Sequence, residues 1–170
     1  MRWSVSVLVA LSGIAGCSSD AVRPAQAPLT RPDRALAAMS PDGRQVVQSA
    51  HVPFLLLPEP FASVAVATSG DHFSALSARV DELTVSLHGT DVTHDAALTL
   101  DEVQRARPSS TVRGVPARVL ENEGIRSVAW NERGVDWALE VECYEPETDV
   151  RCTEDAFVLD LAGRLSEVPR

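Results

Sequence analysis

The chain has 170 residues, with 24 acids against 15 basic residues and a net charge of −9. Every basic residue is Arg, and the acidic balance argues against a nucleic-acid partner, because phosphate binding needs clustered cations. The length fits one domain plus a tether.

Residues 1–16 read as an export signal. Arg2 is the only positive charge before an apolar run from Val5 to Ala15. Crossing a bilayer as a stable helix takes about 20 apolar residues, so this run is too short to serve as an anchor. The small residues Ala15 and Gly16 stand directly before Cys17, as a signal peptidase requires. The stretch Leu11-Ser12-Gly13-Ile14-Ala15-Gly16-Cys17 resembles the lipobox of bacterial lipoprotein signal peptides, and Ile14 to Cys17 match the pattern at all four positions. The resemblance implies cleavage before Cys17, lipid on its thiol and new amino group, and a membrane as the partner of that lipid. Ser18 and Ser19 follow the cysteine and the first Asp is Asp20, which in this family implies the outer membrane, with the domain facing the periplasm or the cell surface. Cleavage removes only Arg2, leaving 14 Arg against 24 acids, a charge of −10.

Residues 17–43 are expected to hold the lipidated cysteine and a flexible Pro/Ala-rich tether, since Ser18, Ser19, Pro24, Pro28 and Pro32 cannot build a core. Within it, Arg34 to Met39 predict a short helix with Pro32 near its first turn. Ser40-Pro41-Asp42-Gly43 predicts a turn with Pro at its second position. A single α+β domain is expected over 44–170.

His51 to Pro58 is apolar but closed by Pro53 and Pro58, which excludes a central strand and predicts an extended segment at the core edge. Ala62, Val64 and Val66 alternate with small residues and predict a strand, followed by a turn at Gly70-Asp71. Phe73 to Ala78 continue the alternation, and Leu83, Val85 and Leu87 against Thr84, Ser86 and His88 predict a half-buried strand ended by Gly89-Thr90-Asp91. Thr99 and Glu102 form a capping box for a short helix stopped by Pro108.

Val112 to Leu120 predict one strand and Ile125 to Trp130 another, with turns at Asn122-Glu123-Gly124 and Asn131 to Gly134. Val135, Trp137, Leu139, Val141 and Cys143 alternate strictly with polar or small residues, the signature of an antiparallel meander with one wet face. Trp130 and Trp137 flank the second turn and are positioned to meet across two strands. A final helix is expected from Thr153-Glu154-Asp155, with acids in its first turn and Phe157, Val158, Leu161, Ala162 and Leu165 on one face. The product is a curved antiparallel sheet with the C-terminal helix packed on it. Gly114, Val119, Trp130, Gly134, Trp137 and the helix over 153–165 resemble periplasmic sensor domains associated with anti-sigma factors and domains similar to lipoprotein carriers. That resemblance implies the fold more than a function.

With Cys17 taken by lipid, Cys143 and Cys152 remain, separated by eight residues. In an oxidising compartment this pair predicts a disulfide. No His lies near it in sequence to complete a metal site, and a catalytic redox pair has the spacing C-x-x-C.

Polar constellations match no defined site. His88, Asp91 and His94 have the residue types of a metal site but no metalloprotease spacing. Ser69, Asp71 and His72 have the types of a hydrolytic triad but occupy adjacent turn positions without a nucleophile elbow. Asp136, Glu140 and Glu142 share one strand face, as the wet face of any exported domain would place them. No catalytic residue, cofactor or metal ligand is therefore assigned. The expected function is a non-enzymatic binding or structural module, lipid-anchored and directed at an envelope protein, with Trp130 and Trp137 as candidate contact residues. One alternative is a sensor or carrier of a hydrophobic ligand, which requires an apolar cavity between sheet and helix. Another is a metal-dependent hydrolase using His88, Asp91 and His94.

Overall fold

A computed structural model describes residues 32–92 and 107–168. The expected export signal, Cys17, most of the expected tether, His94 and the capping box at Thr99 lie outside the described residues.

Two helices open the described chain. Helix α1 (Pro32–Ala38) starts on a proline, whose fixed φ suits a first helical position. Helix α2 (Pro41–Ser49) also starts on a proline, and the Ser40 hydroxyl caps it by accepting from the Gly43 N–H at 3.1 Å. The Ser-Pro-Asp-Gly stretch expected as a turn is thus a helix start, since Ser at N-cap and Pro at N1 serve a helix as well as a turn. The Arg44 guanidinium clasps the pair by donating to the carbonyls of Ala37 and Met39. Ala35, Met39 and Val47 are buried in the core. The packed structure therefore begins ahead of residue 44, inside the stretch expected as tether.

The proline-closed segment contributes a two-residue strand, β1 (Leu55–Leu56), which pairs with β9 (Ser166–Glu167) near the end of the chain. All of Phe54 to Leu57 is buried, so the segment crosses the interior outside the main sheet. Ala62–Val64, expected to begin a strand, is instead a turn of 3-10 helix. Small residues with alternating valines satisfied the two-residue period by composition alone.

The main sheet has seven antiparallel strands in the order β2-β3-β4-β8-β7-β6-β5. These are β2 (Val66–Ser69), β3 (Phe73–Val80), β4 (Leu83–Thr90), β5 (Ser110–Val112), β6 (Val115–Asn122), β7 (Ile125–Glu132) and β8 (Val135–Cys143). Three of its hairpins turn on a two-residue pair with both φ angles positive: Arg113-Gly114, Glu123-Gly124 and Arg133-Gly134. Such pairs match the right-handed twist of the flanking strands, and Gly at the second place carries its positive φ without strain. The first of them divides the single strand expected over Val112 to Leu120 into β5 and β6.

After β8 the chain makes a one-turn helix, α3 (Val150–Thr153), then α4 (Asp155–Gly163). Both pack on one face of the sheet, against β7 and β8. That face carries Leu76, Val85, Leu87, Val128, Leu139 and Val141, met from the helix side by Val158, Leu161 and Ala162. The opposite face follows the alternation of β8, with Asp136 and Glu142 exposed and Ala138 and Glu140 half-buried. The architecture is α+β, an antiparallel meander with C-terminal helices packed against it.

Candidate functional site

Cys143 and Cys152 form a disulfide with Cα atoms 6.2 Å apart, joining the end of β8 to α3. Both residues are buried. Arg126 on β7 reinforces the same junction. Its guanidinium donates to the carbonyls of Cys152 and Thr153 and pairs with Asp155 at 3.1 Å. Beside this junction is a surface depression of about 500 Å³ lined by Glu121, Glu123, Arg126, Pro146 and Glu147 among others. The next turn of chain is held by Asp149, which caps α3 by accepting from the Arg151 N–H and also pairs with the Arg151 side chain. That guanidinium, and then the backbone N–H, hold the Asp149 carboxyl below its ordinary range, while the Arg151 guanidinium is raised by the same hydrogen bond.

Trp130 and Trp137 meet as expected. They are cross-strand partners, stacked with centroids 6.4 Å apart and planes inclined by 21°. Their exposure is only 4% and 5%, which makes them core residues and not the contact surface sought in the sequence. The alternation of β7 and β8 places both rings on the face that the helices cover. The Trp130 indole N–H is directed at the Glu132 carboxylate, 3.4 Å away.

The polar constellations separate. His72 Nδ1 lies 2.9 Å from Asp91 Oδ1, where β3 begins and β4 ends, whereas His88 faces Glu140 across β4 and β8 at 4.0 Å. The structure thus gives His88 and Asp91 different partners, and His94 lies outside the described residues. Among the described residues no group of three or more His, Cys, Asp or Glu side chains is placed to hold a metal ion. Ser69 is in β2, cross-strand from Ser74, and Gly70 closes the hairpin by donating to the Phe73 carbonyl at 3.0 Å. Asp71 and His72 complete that turn.

No family model, curated protein or solved structure matches this chain.

The sheet face turned away from the C-terminal helices is partly exposed among the described residues. It carries the small, half-buried side chains Ala75, Ser86, Ser127 and Ala138. Asp136, Glu140 and Glu142 run along β8 through it, and Glu140 has His88 as its neighbour. A depression of about 270 Å³ lies at one end, lined by Pro108, Pro116, Arg118, Ala129 and Asp136 with the tryptophan strands.

Sequence reasoning missed the buried ion pair of Arg113 with Glu132, whose side chains are 8% and 9% exposed. Half of its signal was legible: the alternation of β7 puts Glu132 on the same side as Trp130. The other half was not, because nothing local turns Arg113 inward.

Proposed function

We propose that this chain is an envelope lipoprotein, held in the membrane by lipid on Cys17, whose α+β domain is a non-enzymatic binding or structural module. The observation that carries the reading is the apolar run ending in Ile14-Ala15-Gly16-Cys17. The disulfide supports it, because such bonds persist in oxidising compartments beyond the cytoplasm. It also consumes the other two cysteines, leaving Cys17 as the odd one. Among the described residues no helix is long and apolar enough to cross a membrane, so lipid supplies the attachment in this reading. Stable anchoring takes more than one acyl chain, which a lipidated N-terminal cysteine provides in this class.

The carrier reading has less support. Val128, Leu139, Val158, Leu161 and Ala162 are each 0% exposed and fill the space between sheet and helix where an acyl chain would have to lie.

The test is to express the full chain in a bacterium fed with labelled palmitate, then separate the membranes. The expected result is a labelled, shortened chain in the outer-membrane fraction, and an unlabelled, uncut chain for Cys17→Ser. An unlabelled natural chain, or label that persists in Cys17→Ser, would overturn the anchoring. Label confined to the inner membrane would overturn the sorting implied by Ser18 and Ser19.

A further inference from the structure

We draw no further inference here: the strongest candidate, the sheet face turned away from the C-terminal helices with Asp136, Glu140 and Glu142 along β8 among small side chains, carries nothing because nothing in the structure shows what covers it.

Discussion

Arg113 and Glu132 form a two-point ion pair in a site almost closed to water, with Nε to Oε2 at 2.8 Å and Nη2 to Oε1 at 3.3 Å. Arg113 sits in the β5–β6 turn at a φ of 51°, and its remaining nitrogen donates to the Leu165 carbonyl just past α4. One guanidinium thus joins the far strands of the sheet to the end of the C-terminal helix. The Glu132 carboxylate accepts from both Arg113 and the Trp130 indole.

Removing one partner of this pair costs more than removing both. Arg113→Ala leaves a carboxylate buried without its counter-charge, which costs about 3–5 kcal/mol. Arg113→Met combined with Glu132→Leu leaves no orphaned charge and should recover more than half of that loss. Recovery is incomplete, because the Trp130 N–H and the Leu165 carbonyl still lose their partners. Urea unfolding of the two variants and the natural chain checks the ordering. A double variant no more stable than Arg113→Ala would show that the pair acts through something other than charge.

The disulfide closes a short loop, with a sequence separation of nine. Its loss is expected to destabilise by about 2–3 kcal/mol, chiefly through the greater freedom of the unfolded chain. The native fold should survive, because Arg126 still ties β7 to the carbonyls of Cys152 and Thr153. A combined Cys143→Ser and Cys152→Ser variant should therefore show a lower urea midpoint with an unchanged far-ultraviolet spectrum. Adding Arg126→Ala to that variant should release α3 and α4 as well, read as faster amide exchange over 150–163.

Asp149 gives the stability a defined acid dependence. Its carboxyl is held low first by the Arg151 side chain and then by the Arg151 N–H. A group with a lowered folded-state pKa contributes fully above its unfolded value, about 3.9 for Asp, and loses that contribution as pH falls through the folded value. Asp149→Ala, which also removes the α3 cap, should cost about 1 kcal/mol at neutral pH. The gap between the two proteins should stay constant from pH 8 to pH 5 and narrow below pH 4. Parallel urea titrations at stepped pH measure it, and a gap that widened in acid would contradict the assigned direction.

What could be read in the sequence was what repeats or pairs locally. The strict alternation of Val135 to Cys143 placed β8, its faces and its cross-strand tryptophans correctly. The spacing of Val158, Leu161 and Ala162 did the same for the centre of α4, whereas Leu165 lies past its end and Thr153 belongs to α3, and setting Cys17 aside for lipid left Cys143 to pair with Cys152. Contacts between distant segments were not legible. The pairing of Leu55–Leu56 with Ser166–Glu167 links residues more than a hundred positions apart, and neither segment is long enough to announce a strand. The β5–β6 turn was missed because Arg113-Gly114 stands directly between Val112 and Val115, without the Asn that marks the other two turns at Asn122 and Asn131. The candidate site was less legible still. Both tryptophans satisfied the requirements of a contact residue and of a core residue, and only the helices covering their face distinguish the two.

That same cover makes Gly89 indispensable. Gly89 is the β4 partner of Trp137, and a Cβ placed on it would lie 2.5 Å from the indole ring. An exposed aromatic could swing away, but Trp137 is 5% exposed and stacked on Trp130. The ring has to shift within a packed core, or the strand has to bend. Overpacking of this kind costs about 1–3 kcal/mol, so Gly89→Ala should lower the unfolding midpoint and change the near-ultraviolet tryptophan signal. Adding Trp137→Leu should remove the clash, so Gly89→Ala should cost less in the Trp137→Leu background than beside the natural tryptophan. A double-mutant cycle over the two positions measures that difference directly. Equal costs in both backgrounds would mean that Gly89 is needed for its backbone and not for the room it leaves to Trp137.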